Sequence, residues 1–240
     1  MSRWGLPLPR PPGREQHEPS PADADALALG AALPPQRRGR ERKARIVASA
    51  AALINAHGPE GEAFTLRAVA DGAGTSPASI YHYFPDAEAV VAAVATEYME
   101  GLLAATAKVH AAQHTSYEVH QHALVHAFWR SFAARPGLRE LWFQRRASDA
   151  VIAIHERYLE IVAEQLQAAA ARYIDDPGEL LDYQMVLEIS GALFQLAFKL
   201  DPGGDPRVIE EIHVNAWAFL NRRALKAEHQ ATRHAAPAGK

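Results

Sequence analysis

The sequence predicts an all-α protein, with an N-terminal three-helix domain built around a helix-turn-helix and a larger helical domain after it. Apolar residues recur at helical spacing along most of the chain beyond about residue 40, and no segment alternates for long as a strand does. Helix-capping residues precede these stretches, and Gly or Pro often follows them. The chain has 240 residues, of which 48% are hydrophobic, enough for a sizeable core.

Composition excludes several classes of protein. The chain has no cysteine, so disulfides, thiolate metal sites and a cysteine nucleophile are absent. No nucleophile with a base at recognisable spacing, no phosphate loop and no carboxylate pair among apolar residues is present. We therefore predict no catalytic residue and no cofactor, and hence no enzyme. No apolar run reaches the length that spans a membrane, and the N-terminus lacks the apolar segment of a signal peptide, so we expect a soluble, cytoplasmic protein without membrane partners.

The chain begins with a stretch unsuited to a packed core. Residues 1–36 are dense in Pro, Gly, Ala and charge, and we expect a disordered tail there. A basic cluster follows and leads into a helix that ends near His57 and Gly58, with an apolar face that starts at Ile46. A charge run alone is more often a solvated surface than a binding site. The basic residues are Arg37, Arg38, Arg40, Arg42, Lys43 and Arg45.

A helix-turn-helix is predicted next. Thr65 is a good N-cap for a helix that Gly72 to Gly74 ends, because glycine adopts the left-handed conformation of a tight turn. Thr75 and Ser76 supply capping oxygens for a second short helix, over about Pro77 to Tyr83, in which Pro77 stands at the first turn. The second helix of such a motif can enter the major groove of DNA.

The residues of this second helix suit that task. Ala78 and Ser79 are small and lie near its N-terminus, where backbone can approach bases and phosphates. Ile80 and Phe84 are four residues apart and would anchor the helix on the domain. The aromatic residues from Tyr81 to Tyr83 resemble groups that position a phosphate backbone. An ordinary helical hairpin with a glycine turn is the alternative interpretation.

The stretch FTLRAVADGAGTSPASIYHYFPDAEAVVAAV resembles the N-terminal domain of the TetR family of bacterial transcriptional regulators. The resemblance covers about residues 40–95. It departs from the family pattern at Ala87, where members usually carry a lysine, and in the short helix, where Pro77 or Ala78 replaces a common glycine. The motif begins with a threonine that starts a helix, Thr65, and an alanine-glycine turn, Ala73 and Gly74. It continues with Tyr81 in the short helix, then Phe84 and Pro85, and Asp86 as the acidic cap of the next helix.

The resemblance implies a homeodomain-like DNA-binding domain over residues 37–85 that binds double-stranded DNA. In the family, basic residues at the start of the first helix lie along the phosphates, where counterion release supplies affinity. The predicted DNA-binding residues are Arg40, Arg42, Lys43, Thr65, Arg67, Thr75, Ser76, Pro77, Ala78, Ser79, Tyr81, His82 and Tyr83.

The rest of the chain, over residues 86–226, is predicted to be a helical effector-binding and dimerisation domain, with a flexible tail at 227–240. A long helix capped by Asp86 should run to about His110, followed by helices at about 117–134 and 138–146. Ser148 caps a further amphipathic helix. Two final helices are predicted at roughly 179–200 and 207–226, separated by a loop rich in Pro and Gly.

Aromatic residues are concentrated on these helices. For any one of them, ordinary core packing is the simpler interpretation. The resemblance implies an effector cavity, and its lining here would be mostly apolar with a few polar groups, which favours a hydrophobic or aromatic ligand. The predicted ligand-binding residues are Tyr98, His126, Phe128, Trp129, Phe132, Trp142, Phe143, His155, Tyr158, Gln184, Phe194 and Gln195.

Histidines recur at i, i+4 spacing, as His110 with His114 and His122 with His126, which suits zinc or nickel. The first pair lies across a predicted helix end. Apart from Glu118, no acidic or thiol residue lies close to these histidines in the sequence. We therefore predict solvated or partly buried histidines and no metal.

The last two helices carry more apolar residues than one face of a monomer can bury, which favours a homodimer formed through them. A two-fold pair selects a palindromic operator, since its recognition helices lie roughly 34 Å apart. From the family we expect a repressor that leaves DNA when effector binding moves the long helix and separates the two DNA-binding domains of the dimer. The alternative is a helical small-molecule-binding protein with a degenerate DNA-binding head.

Overall fold

The structure, a computed structural model, describes residues 35–143 and 148–235, and side chains within 37–143 and 148–221. The predicted N-terminal tail thus lies mostly outside the described residues, as do residues 236–240 of the predicted C-terminal tail. The last residues of the helix predicted to end at Arg146 also lie outside them. The described helices are α1 (Pro35–His57), α2 (Leu66–Ala73), α3 (Pro77–Tyr81), α4 (Ala87–Ala111), α5 (Tyr117–Ala134), α6 (Pro136–Phe143), α7 (Asp149–Ala170), α8 (Leu180–Leu200) and α9 (Pro206–Ala235).

The structure confirms the all-α fold, because the described residues form helices and connecting turns and no strand. Contacts divide the chain into two units, the first ending at Glu41 and the second starting at Arg42. In the first unit, Arg37 Nε lies 3.2 Å from Glu41 Oε1 on the exposed surface of α1. Such an exposed pair adds little stability.

The capping residues predicted from the sequence have their expected roles. Thr65 Oγ1 accepts a hydrogen bond from the Ala68 amide, and Gly74 ends α2 with a left-handed φ of 62°. Ser76 caps α3, while Asp86 and Ser148 cap α4 and α7. Each cap satisfies an amide that the first helical turn leaves without a partner.

Three helix boundaries differ from prediction. The helix predicted to begin at about residue 138, α6, begins at Pro136. The short helix α3 ends at Tyr81 rather than Tyr83, and His82 is its C-cap. The last helix continues past Lys226 to Ala235, so residues 227–235 are helical rather than part of a tail. This extension contains Ala, Glu, Gln and Arg, which have high intrinsic helix propensity.

One hydrophobic core holds the second unit together. Ile46, Ala50 and Ile54 of α1 are buried with Val69 of α2 and Ile80 of α3. Further along the chain, α4 packs against α5, α6 and α7, while α8 packs against α6, α7 and α9. The core of the N-terminal helices is therefore continuous with that of the helices after α4.

Among the described helices, α4 is long and apolar enough, by length and composition, to cross a membrane. The expectation that no apolar run reaches that length is wrong for this helix. Its buried side chains include Val90, Val94, Tyr98 and Leu102, and the helix packs against α5, α6 and α7. Length and apolar composition alone are weak evidence for a membrane span.

Candidate DNA interface and ligand cavity

The second helix of the helix-turn-helix presents most of its surface to solvent. Ile80 is its only fully buried side chain and anchors α3 on the core. Pro77, Ala78 and Tyr81 are exposed, and the exposed fraction of Tyr81 is 58%. A face of α3 is thus available to a duplex.

The position of α2 against α1 is fixed by a close approach. Ser49 Oγ donates a hydrogen bond of 2.9 Å to the Val69 carbonyl. A Cβ added at Gly72 would lie 2.4 Å from the Ser49 hydroxyl oxygen, so only glycine fits without a shift of that side chain. The two helices that carry and support α3 are therefore closely packed.

The structure leaves the predicted DNA-binding residues accessible. Arg40, Arg42 and Lys43 are exposed on α1, and the Lys43 ammonium lies 5.4 Å from the centre of the Phe84 ring. Tyr83 also packs against the core and meets the His82 ring edge to face at 5.0 Å. Of the remaining predicted residues, the exposed ones are Thr65, Arg67, Ser76 and His82, and the half-buried ones are Thr75 and Ser79.

An apolar cavity of about 60 Å³ lies between α5, α6, α7, α8 and α9. Of the aromatic residues predicted to bind ligand, four line it: Phe128, Phe132, Trp142 and Phe194. Its other described lining residues were not predicted and are mostly aliphatic: Gln121, Leu124, Val125, Leu166, Val186, Leu187, Ser190, Gly191, Ile212, Ala216 and Leu220.

Two predicted ligand residues lie directly against the cavity wall. The Trp142 ring meets those of His155 and Tyr158 edge to face, with ring centres 4.5 and 5.2 Å apart. His155 Nε2 and the Tyr158 hydroxyl are buried without a hydrogen-bond partner in the described part of the chain. Burial lowers the pKa of His155 and raises that of Tyr158, which favours the neutral form of both groups.

The other predicted ligand residues do not line this cavity. Phe143 packs on Phe132, and its carbonyl accepts from Gln195 Nε2 beside an outer groove. Trp129 Nε1 donates to the Gly203 carbonyl at 2.8 Å. The remaining three are Tyr98, whose hydroxyl donates to the Ala51 carbonyl, His126, whose ring centre lies 4.4 Å from that of His122, and Gln184, which is half-buried on α8.

The start of α6 joins the cavity wall to the helix-turn-helix domain. Asn55 Oδ1, near the end of α1, accepts a hydrogen bond of 2.8 Å from the Gly137 amide. Trp142, which lines the cavity, lies on the same short helix. The short helix α6 therefore both lines the cavity and contacts α1.

The histidines form clusters that spacing alone did not predict. His110 Nδ1 and His120 Nε2 are 3.1 Å apart, and the His114 ring centre lies 5.1 Å from that of His120. A second group joins His122 to His213 of α9, with ring centres 5.0 Å apart. Within the described ranges, no group of three or more His, Cys, Asp or Glu is arranged to hold a metal ion.

The His110 and His120 pair predicts acid sensitivity. Burial, together with the nearby His110, His114 and Arg172, lowers the pKa of His120 to about 4. Burial, Arg172 and His114 also lower the pKa of His110. The unfolded chain then binds more protons than the folded one below about pH 6.5, so stability falls as the pH falls towards 4. We expect the protonation of His120 to lower the free energy of unfolding by about 1–2 kcal/mol between pH 7 and pH 5.

Urea unfolding at each pH measures this loss, and the His120→Gln variant should show a smaller pH dependence than the wild type. His82→Gln, at the exposed end of α3, is the control and should match the wild type. Parallel pH profiles for all three proteins would show that His120 does not cause the loss.

Comparison with known proteins places this architecture in a family. A model described as bacterial regulatory proteins, tetR family, matches residues 46–94, and a model described as tetracyclin repressor-like, C-terminal domain, matches residues 121–224. The chain belongs to the TetR family of transcriptional regulators. Members bind DNA as dimers, typically respond to small-molecule effectors and are generally not enzymes. No curated protein matches the sequence significantly.

Solved structures show the same fold. A TetR-family transcriptional regulator from Streptomyces coelicolor is 24% identical with a TM-score of 0.58, and the match covers 75% of this chain and 98% of that one. A TetR transcription regulator from Haloarcula marismortui is 19% identical, with a TM-score of 0.61 and coverage of 76% and 98%. The regulator FadR from Bacillus subtilis, in complex with stearoyl-CoA, is 14% identical, with a TM-score of 0.58 and coverage of 74% and 97%.

Proposed function

We propose that this protein is a ligand-responsive repressor, which leaves a palindromic operator when an apolar or aromatic small molecule binds its C-terminal domain. The single observation that carries the proposal is that α6 contributes Trp142 to an apolar cavity and contacts α1 of the helix-turn-helix domain through Gly137. One short helix thereby connects the proposed ligand site with the proposed DNA-binding domain. Like other members of its family, the protein would act in the cytoplasm.

Ligand entry requires the cavity to widen. Its volume of about 60 Å³ is well below the roughly 150 Å³ of an engineered apolar cavity that binds benzene. A ligand of that size or larger must displace side chains, and Trp142 is the lining residue on the helix that reaches α1. A displacement that favours one head position by about 1–3 kcal/mol is enough for a clear switch.

Exposed apolar side chains on α8 support a homodimer formed through α8 and α9. Leu181, Ile189, Leu196 and Leu200 are all exposed large hydrophobics, as is Val214 of α9. At about 100° of rotation per residue, the four on α8 project within roughly 100° of one another. Such a stripe on a single chain indicates a surface that a partner covers.

A gel shift with DNA from upstream of the protein's own gene tests the proposal. We expect a complex with two chains per duplex, and release of the DNA when an apolar ligand is added. The alternative, a small-molecule-binding protein with a degenerate head, predicts ligand binding without a DNA complex. Ala87, in place of the lysine usual in the family, favours that alternative.

The roles of the α3 residues are tested by two substitutions. Tyr81→Phe removes one exposed hydroxyl from the phosphate-facing side and should weaken binding to all sequences by about 3–10-fold. Ser79→Ala should instead change the ratio of affinities for operators that differ by one base pair. Titrations of the operator and its single-base variants measure both effects. Equal effects of the two substitutions on both measures would contradict this assignment of roles.

A further inference from the structure

The effector cavity contains a polar group whose hydrogen-bonding capacity is not satisfied. Gln121 lines the cavity from α5, and only 5% of its surface is exposed to solvent. Its Oε1 is buried and has no hydrogen-bond partner in the described part of the chain. A buried acceptor without a donor is destabilising, because the oxygen has lost its bonds to water and gained none in the protein. A ligand that supplies a donor at this position removes that cost.

The remaining surroundings restrict the chemistry of the donor. The described residues that line the cavity are apolar apart from Gln121 and Ser190, and none of them carries a charge. A carboxylate or an ammonium would enter without a charged partner, which is strongly unfavourable in an apolar site. The donor must therefore be a neutral group, and the rest of the ligand must be apolar enough to replace contacts among Phe128, Phe132 and Phe194.

We propose that the effector is an uncharged apolar molecule that carries a hydroxyl group, which donates a hydrogen bond to Gln121 Oε1. This inference rests on the proposed ligand response and specifies its chemistry. The hydroxyl anchors one end of the ligand on α5, and its apolar body contacts the aromatic lining, which includes Trp142 of α6. Gln121 acts here as a specificity residue, since apolar contact alone does not distinguish a hydroxyl from a methyl group.

Matched pairs of ligands test the inference. Phenol and toluene, and 2-naphthol and 2-methylnaphthalene, differ only by a hydroxyl in place of a methyl group, while 2-naphthoate adds a charge. We expect calorimetry to show the hydroxyl compounds binding about 5–20-fold more tightly than their methyl partners, and no binding of 2-naphthoate. Gln121→Leu should reduce the ratio to about 1 and still bind the methyl compounds. The matched control is Gln184→Leu, a half-buried glutamine that does not line the cavity and should keep the wild-type ratio.

The outcomes separate this inference from the proposed function. Equal affinity of wild-type protein for hydroxyl and methyl compounds, or failure to bind any hydroxyl compound, overturns the inference, and neither result depends on a variant that folds. Release of operator DNA by the methyl compounds would leave the proposed function in place while the inference fails. If the hydroxyl and methyl compounds bind but neither set releases operator DNA, the proposed function fails as well.

Discussion

Phe132→Ala should lower the free energy of unfolding by about 3–5 kcal/mol, as truncation of a fully buried phenylalanine does. Only 1% of the Phe132 surface is exposed. Its ring centre lies 5.2 to 5.5 Å from those of Phe143, Phe194 and Trp142, so the side chain joins α5, α6 and α8. Its loss removes transfer free energy and aromatic contacts, and leaves a cavity that these neighbours can fill only in part.

Urea unfolding of the variant measures this loss, and Val119→Ala is the control. Val119 lies on the same helix and is 46% exposed, so its truncation should change stability by no more than about 0.5 kcal/mol. The enlarged cavity of Phe132→Ala should also accept benzene, which would raise the unfolding temperature of the variant more than that of the wild type. A loss below about 1.5 kcal/mol, with no response to benzene, would show that the surrounding helices close over the space.

The helix-turn-helix domain was predictable from the sequence because its information is local. Thr65, Ser76 and Asp86 each satisfy an amide three residues ahead, and Gly74 ends α2 in the left-handed conformation that it alone adopts easily. These signals depend on neighbouring residues, so they can be recognised without knowledge of the tertiary structure. The exposed face of α3 followed from the same pattern, since Ile80 fixed which side is buried.

The ligand cavity was predictable only in part, because helical periodicity identifies buried faces and does not show which buried faces surround a space. Phe128 and Phe194 were predicted as ligand residues from their aromatic character and line the cavity. Trp129 has the same character, yet its ring nitrogen is bound to a loop carbonyl beyond α8. The aliphatic lining, such as Leu166 and Ile212, gave no signal that distinguishes it from ordinary core.

Contacts between residues distant in the sequence were also missed. Gln121 had no special feature in the sequence, and its importance follows from an oxygen that the fold leaves without a partner. His110 and His120 are ten residues apart on different helices, so i, i+4 spacing could not pair them. The helix predicted to begin at about residue 138 begins at Pro136, so Gly137 lies within the first turn of α6 and against α1.

Gly137→Ala should both destabilise the protein and weaken the link between the ligand cavity and the DNA-binding domain. A Cβ at Gly137 would lie 2.8 Å from Ile54 Cγ2, 2.9 Å from Asn55 Oδ1 and 3.0 Å from the Tyr98 hydroxyl oxygen. Two of these atoms belong to α1 and one to α4, so the methyl group forces α6 away from both helices. Overpacking of this kind costs about 1–3 kcal/mol. We expect the free energy of unfolding to fall by that amount. We also expect operator affinity to fall about 10-fold, because the position of the DNA-binding domain without ligand changes.

Gly101→Ala is the matched control, since it adds the same methyl group to a helix where space exists. Its Cβ would lie 3.8 Å from the Arg135 guanidinium, an ordinary contact distance, and a helical Gly→Ala change adds up to about 1 kcal/mol of stability. The decisive measurement is the ligand concentration that releases half of the bound operator. If α6 transmits the ligand signal, this concentration changes in Gly137→Ala and stays at the wild-type value in Gly101→Ala. A Gly137→Ala protein that is less stable but releases operator at the wild-type concentration would show that the contact with Asn55 only holds the domains together, and that the signal reaches α4 by another route.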